Sequence, residues 1–585
     1  MNYSLAENKG TSSNALLAVA KKFVPFIRGE QTGMIVAFIA ILLNSGLNLA
    51  APMIIGHVVD TYIVTRQFDG VITFSSLLLA IFGLAALAQY TQTRVMGAVS
   101  NRVLFNLRNA IFTKLQTLPV AFFNQNKAGD LISRINNDTD KLNQFFSQAL
   151  MQFVGSVFMV IGAGISVLVI SPRLGAAALA PALFLLVVTR VLSGWMKRKN
   201  ARSLETTGDM SASIQESLNN FSVIVAFHRQ DYFRERFIAV NDKNFKASIT
   251  AGLANTIFTP IYGLSSNIAI LVVIAYGAHL IGLGLLTIGV LISFLTYVTR
   301  FYDPLRQIAN LWSSFQLALA AWDRISDILS MESEMVEGAG GTMNTSAPVL
   351  EFQNVKFHYP NGKTVLRDVN LSLEAGKTYA LVGPTGGGKT TTASLMARLY
   401  DPSEGSVLLH GVDMKTYTAA DRAKRIGFIL QEPFLFTGTI RDNIVYGNDN
   451  LSSVTSEQLV EILTKSGLSS LLPRFTEGLD TPVTSNGNSM SLGQRQLIAF
   501  MRAVLRKPDI LILDEATANI DTVTEQLLED ILRQLPATTT RVIIAHRLNT
   551  IEAADEIYFV NAGTVTPAGS LEHAVDMVMH GKRES

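Results

Sequence analysis

Cysteine is absent from the 585 residues. No disulfide, thiolate nucleophile or cysteine-ligated metal is therefore available, which is compatible with a reducing cytosol and does not establish it. Charge is also scarce. Asp, Glu, Lys and Arg make up 16% of the chain, where soluble domains carry about 25%. Hydrophobic residues reach 48% and the mean hydropathy is +0.30. So much apolar surface needs a solvent other than water, and the same figures exclude disorder, a collagen-like repeat and a disulfide scaffold. The net charge of +2 gives no reason to expect a nucleic-acid partner.

The apolar residues are concentrated before about residue 315, in six stretches long enough for a bilayer. They run from about Met34 to Ile63, Phe74 to Val95, Ala149 to Ile170, Leu174 to Met196, Leu253 to Leu280 and Leu285 to Leu311; about 20 apolar residues suffice to span. The polar N-terminus and the late, long first stretch do not fit a cleavable signal peptide. Short loops join spans one and two, three and four, and five and six. The two intervening segments are long and basic, carrying Arg102, Arg108, Lys114 and Arg134, then Lys197, Arg198, Arg229 and Lys243. The positive-inside rule places them, and both termini, in the cytoplasm. Apolar periodicity through Leu104, Leu107, Ile111 and Leu115 predicts helices that continue out of the membrane. Ala15 to Ile27, apolar with Lys21 and Lys22, reads as an amphipathic helix on the cytoplasmic membrane face.

After Trp322 the character changes. The stretch 334–348 is rich in Gly, Ser and Thr and reads as a linker. It separates a membrane domain, 1–333, from a domain of alternating strands and helices, 349–585, of α/β type. Within the latter, Gly383, Pro384, Thr385, Gly386, Gly387, Gly388, Lys389, Thr390 and Thr391 match the P-loop pattern between an apolar strand, Thr378 to Val382, and a helix from about Thr390 to Leu399. Glycines let backbone N–H groups approach phosphate oxygens, and the helix N-terminus adds positive potential. Lys389 can reach the β- and γ-phosphates, and the Thr390 hydroxyl can ligate Mg²⁺. About 120 residues on, Ile510 to Leu513 is an apolar strand ending in Asp514 and Glu515. Asp514 suits Mg²⁺ through water, and Glu515 suits activation of an attacking water. A third apolar strand, Val542 to Ala545, ends at His546.

These motifs resemble those of ATP-binding cassette (ABC) transporters over nearly the whole chain. The resemblance implies an α-helical membrane domain of the exporter type, with six transmembrane helices, followed by an α/β P-loop nucleotide-binding domain that takes ATP and Mg²⁺. It also implies roles that spacing could not supply. Tyr359 matches the aromatic that stacks on adenine. Gln431 matches the glutamine that contacts Mg²⁺ and the attacking water. Asp514 and Glu515 match the Walker B aspartate and catalytic glutamate. His546 matches the switch histidine and Asp521 the D-loop aspartate. The run from Leu118 to Arg134 resembles the first intracellular loop, with its coupling helix.

Two positions depart from the family pattern. The signature, usually Leu-Ser-Gly-Gly-Gln, reads Met490-Ser491-Leu492-Gly493-Gln494. Ser491, Gly493 and Gln494 are kept, but Leu492 replaces a glycine, and leucine tolerates positive φ poorly. The preceding Thr484-Ser485-Asn486-Gly487 stretch lacks the usual acidic residue. An altered signature beside an intact Glu515 and His546 is the pattern of one subunit of a heterodimer, with a homodimer as the alternative. The expected activity is ATP hydrolysis coupled to export of a hydrophobic or amphiphilic substrate (drug, lipid or peptide) across the cytoplasmic membrane. An importer on an exporter fold and an ATP-gated channel are the rivals, and six spans count against a soluble ABC ATPase. For the substrate path, His57, Asp60, Arg190 and His279 are the ionisable candidates. Phe258, Tyr262, Phe294, Tyr297 and Tyr302 are aromatics that could line an apolar cavity, though such spacing is more often packing.

Overall fold

The computed structural model describes residues 3–5, 26, 28–335, 337–338, 340, 344, 346–360, 362–475, 477–484, 487, 490–514, 522–544, 551–570, 572–573 and 576–577. The chain divides into two units. One comprises residues 9–116 and 129–330; the other comprises 1–8, 117–128 and 331–585.

The first unit is helical. Its main helices are α1 (Gln31–Val58), α2 (Phe68–Gln116), α3 (Leu150–Ile170), α4 (Pro172–Asn219), α5 (Gln230–Thr256), α6 (Phe258–Gly282) and α7 (Ile288–Ser330). At 1.5 Å per residue the 49 residues of α2 extend about 70 Å, more than twice the hydrocarbon thickness of about 30 Å. The predicted continuation beyond the membrane is thus a single helix, with Leu107, Ile111 and Leu115 on its buried side. Five helical runs are long and apolar enough to cross a membrane among the described residues. The expected sixth span lies in α7, where Arg300 and Asp303 dilute the apolar run. The predicted amphipathic helix lies outside the described residues except Phe26, whose ring meets Trp322 edge-on at 6.2 Å.

Helices α1 and α7 are joined where their backbones touch. A Cβ on Gly289 would sit 2.0 Å from the Gly56 carbonyl oxygen, and one on Gly56 would sit 2.6 Å from the Gly289 oxygen. Small residues permit such close helix packing in lipid. Pro52 interrupts the α1 hydrogen-bond ladder. Near that break, though not at the Asn48 carbonyl it frees, the Ser293 hydroxyl of α7 donates to Pro52 O (2.7 Å) and the Tyr297 hydroxyl to Leu49 O (2.6 Å). Asp60 accepts the Gly289 N–H (2.7 Å) and the Thr287 hydroxyl (2.5 Å), so it caps the start of α7.

The second unit contains two main sheets. Strands β1 (Leu350–His358), β2 (Thr364–Leu373), β4 (Glu404–Leu409) and β5 (Val412–Asp413) form an antiparallel sheet in the order β2-β1-β4-β5. The other sheet has the order β12-β11-β3-β10-β9-β6. It comprises β3 (Thr378–Val382), β6 (Ile426–Ile429), β9 (Ile510–Asp514), β10 (Thr540–Ile544), β11 (Glu556–Asn561) and β12 (Thr564–Pro567). All its neighbours pair in parallel except β11 and β12. Gly438–Thr439 and Pro482–Val483, β7 and β8, make a short separate ladder. Strands β3 and β9 are buried at every position, as sheet strands covered on both faces should be.

Gly289→Ala is expected to destabilise the protein by about 1–3 kcal/mol, because the added methyl meets backbone that cannot yield. Gly46→Ala, where nothing lies within 4 Å of the new Cβ, is the control and is expected not to destabilise. Thermal inactivation of the detergent-solubilised protein measures both.

Candidate functional site: a phosphate loop beside a strand-end carboxylate

Parallel register brings three strand ends together. Leu381 of β3 pairs with Ile544 of β10, and Ile544 pairs with Asp514 at the end of β9. Ligand groups in open α/β sheets collect at such carboxyl ends. From β3 the chain turns through Gly383 to Gly388 and enters α8 (Lys389–Met396), three residues shorter at its end than expected. Two glycine roles are distinct here. A Cβ on Gly387 would lie 2.5 Å from the Val560 carbonyl oxygen, so packing against β11 forbids one. Gly386 has φ +83° with nothing within 4 Å of a Cβ, so its backbone faces open space. The Lys389 ammonium lies over the loop, donating to Gly383 O (2.8 Å) and Pro384 O (3.2 Å). Pro384 is half-buried and Thr385 exposed on its rim.

The Thr390 hydroxyl lies 3.5 Å from Asp514 Oδ1, and Asp514 is buried. A hydroxyl and a carboxylate so placed form an all-oxygen donor set, which suits Mg²⁺. Mg²⁺ is commonly held by one or two protein oxygens, the rest of its shell coming from phosphates and water.

On the other side of α8, the Tyr359 hydroxyl lies 3.1 Å from the Thr391 hydroxyl. The Tyr359 ring stands edge-on to Phe357 (4.9 Å) and Tyr400 (5.5 Å). Tyr400 in turn takes a hydrogen bond from Asn124 Nδ2 (2.6 Å), in the short helix Val120–Gln125. Burial pushes the Tyr400 phenol above its ordinary pKa, against a smaller opposing effect of the Asn124 bond. The P-loop, Tyr359, Tyr400 and the predicted coupling helix therefore form one contact chain. Sequence reasoning missed Tyr400 and Asn124. It also missed residues 3–5. The Tyr3 and Leu5 N–H groups donate to the Gln125 and Asn126 side chains (2.9 and 3.0 Å), and the Tyr3 hydroxyl accepts from the Glu334 N–H (3.2 Å). Nothing in so short a polar segment announces that it will dock.

Gln431 follows β6 and is exposed, and its carbonyl lies 3.5 Å from Gln496 Nε2. The signature residues open the helix Leu492–Val504, α9. Ser491 is its N-cap, with reciprocal bonds to Gln494: the Gln494 N–H donates to Ser491 Oγ (3.2 Å), and the Ser491 N–H to Gln494 Oε1 (3.1 Å). Such a capping box could have been found in the Ser-x-x-Gln spacing. Leu492 and Gly493 are the first helical residues. This corrects the expected strain at Leu492, which is not among the positive-φ residues. What the leucine changes is bulk at a helix N-terminus. Glu515, Asp521 and His546 lie outside the described residues, as do Ser485 and Asn486.

The profile of the family described as ABC transporter transmembrane region matches residues 34–305, and that described as ABC transporter matches 366–518. The ABC transporter ATP-binding protein YfiC of Bacillus subtilis is 34% identical over 556 residues, covering 93% of this chain and 90% of that protein. The fatty acid ABC transporter ATP-binding/permease protein of Mycobacterium bovis is 33% identical over 528 residues, covering 90% and 81%. The ATP-dependent lipid A-core flippase of Salmonella typhimurium is 31% identical over 562 residues, covering 96% of both chains.

Lys389→Ala removes the cation from the loop and is expected to weaken ATP binding at least tenfold, about 1.4 kcal/mol. Titration with a fluorescent ATP analogue measures it; unchanged affinity would remove Lys389 from the phosphate site.

Proposed function

Because this chain belongs to the ABC transporter family, with the membrane region and the ATP-binding domain in one polypeptide, we propose that it is half of a dimeric exporter. It uses ATP to move a lipid-like amphiphile out across the cytoplasmic membrane. The observation that carries this reading is the P-loop and Asp514 meeting at the carboxyl end of the sheet, 3.5 Å apart at Thr390, in a chain whose other unit holds bilayer-length apolar helices. The names of the mycobacterial and Salmonella relatives support the lipid-like substrate.

In this reading residues 1–333 form the membrane domain, 334–348 the linker and 349–585 the nucleotide domain. The basic intracellular segments and both termini face the cytoplasm. Backbone N–H groups of Gly386, Gly388, Lys389 and Thr390 and the Lys389 ammonium hold the phosphates, the Gly387 N–H being bonded to Pro384 O (3.1 Å). Thr390, Gln431 and Asp514 hold Mg²⁺, which neutralises phosphate charge when bound. Tyr359 packs against adenine. Glu515 takes the proton of the attacking water, and His546 is oriented toward the γ-phosphate. Ser491, Gly493 and Gln494, at the start of α9, cap the nucleotide of the opposite subunit, and Asp521 faces that subunit. Tyr400 and Asn124 link the nucleotide pocket to the coupling helix.

Leu492 favours a heterodimer. Its side chain takes volume at the helix start that must approach a γ-phosphate, so the site this signature closes is the weak one. The partner's intact signature would close over Glu515 and His546. The hydrolysing site is therefore the one built from this chain's P-loop.

Glu515→Gln is expected to lower ATP turnover by about 10²–10⁴, roughly 3–5 kcal/mol of barrier, while ATP binding survives. Steady-state ATPase assays with a parallel nucleotide titration measure this. Near-normal hydrolysis would remove Glu515 from the role of base.

A further inference from the structure

The aromatics singled out from the sequence are buried in the helix packing. Phe294, Tyr297 and Tyr302 are buried in helix packing, with the Tyr302 hydroxyl donating to Ala178 O (2.9 Å). The membrane unit does hold a cavity of about 640 Å³, and its lining is of another kind. Amides dominate it: Asn44 and Asn48 from α1, Gln89 and Gln92 from α2, Gln152 from α3 and Gln307 from α7. Several are fixed by bonds among themselves. Asn44 Nδ2 donates to Gln89 Oε1 (2.9 Å), Asn48 Nδ2 to Asn44 Oδ1 (2.9 Å), and Gln152 Nε2 to Gln307 Oε1 (3.2 Å).

One charged side chain enters this cavity, that of Arg300, and no Asp or Glu is among the described lining residues. Arg300 Nη1 donates to Asn48 Oδ1 (3.1 Å), while its buried Nε has no hydrogen-bond partner. The acid one turn along α7, Asp303, pairs instead with Arg306 at 3.9 Å. A guanidinium in a membrane-spanning segment is costly, and such groups normally pair with a counter-charge or mark a ligand path. Here the described lining residues supply amides and no anion. The remaining wall includes Met96, Met151 and Met159, flexible and polarisable side chains that suit a variable alkyl chain.

We propose that this cavity binds an amphiphile through a single anionic headgroup, a carboxylate or a phosphate, with Arg300 as counter-ion and the amides as hydrogen-bond donors. The alkyl chain lies along the methionines. This rests on the reading of the chain as an exporter and names the substrate class of that exporter's membrane site. Cationic amphiphiles are disfavoured, since Arg300 repels them and no carboxylate offsets it.

Binding to the full-length protein in neutral-lipid nanodiscs, without nucleotide, tests the proposal. The probes are palmitate, hexadecyl phosphate, hexadecanol and inorganic phosphate. Palmitate and hexadecyl phosphate are expected to bind at least tenfold tighter than hexadecanol. Inorganic phosphate, without a chain, is expected to bind more weakly than either; equal binding would make the site one for free anions and overturn the proposal. Arg300→Gln is expected to abolish the tenfold preference while hexadecanol affinity stays within about twofold, which also reports that the cavity is folded. Arg300→Lys is expected to keep most of the preference. Palmitate binding no better than hexadecanol, or a preference that survives Arg300→Gln, overturns the proposal. ATP-driven palmitate transport is scored separately. Transport unaffected by Arg300→Gln sinks the site and leaves the exporter; Arg300-dependent binding with no transport sinks the exporter and leaves the site.

Discussion

Backbone N–H and C=O groups cannot be left unpaired in hydrocarbon, and that constraint shapes this molecule more than any other. It makes the membrane-facing segments helices. In the α1–α7 contact, Ser293 and Tyr297 donate to the Pro52 and Leu49 carbonyls of the neighbouring helix. Gly56 and Gly289 let the two backbones touch beside these bonds. Asp60, an ionisable residue that could have marked a substrate path, is engaged in capping α7. The polar side chains of this seam therefore serve the fold.

The nucleotide site obeys the same rule in reverse. Phosphate binding needs backbone N–H groups held without protein partners but in contact with solvent, which a glycine loop at a helix start provides. Packing against Val560 explains Gly387, and positive φ beside open space explains Gly386. The parallel register of β3, β10 and β9 then places Asp514 beside Thr390. A chain of aromatic and amide contacts runs from Thr391 through Tyr359 and Tyr400 to Asn124. In the proposed mechanism this chain is how occupancy of the nucleotide pocket reaches the coupling helix.

Much of this was legible in the sequence because it rests on local pattern. The P-loop strand and helix, the buried strand before Asp514 and the helical continuation through Leu107 and Ile111 are set by spacing and hydrophobic period. What was not legible depends on contacts between distant segments. Tyr3 docking on Gln125, Tyr400 meeting Asn124 and Asp60 capping α7 each join residues more than 120 positions apart. The cavity proposed to take the substrate was not legible for a related reason. Aromatics draw attention in an apolar span, but Tyr297 and Tyr302 are packed. The cavity is instead made by scattered Asn and Gln residues from four helices, each unremarkable alone. Leu492 shows a different limit, since its place inside a helix removed a backbone objection that composition alone had raised.

Directional, ATP-driven movement of an anionic amphiphile is what this protein is proposed to perform. ATP-dependent accumulation of a fluorescent fatty acid in inside-out membrane vesicles containing this chain and its co-purifying partner measures it. Accumulation is expected to require hydrolysable ATP in inside-out vesicles and to be absent from right-side-out vesicles given external substrate and internal ATP. Uptake only in the right-side-out orientation, or accumulation indifferent to ATP, would contradict it.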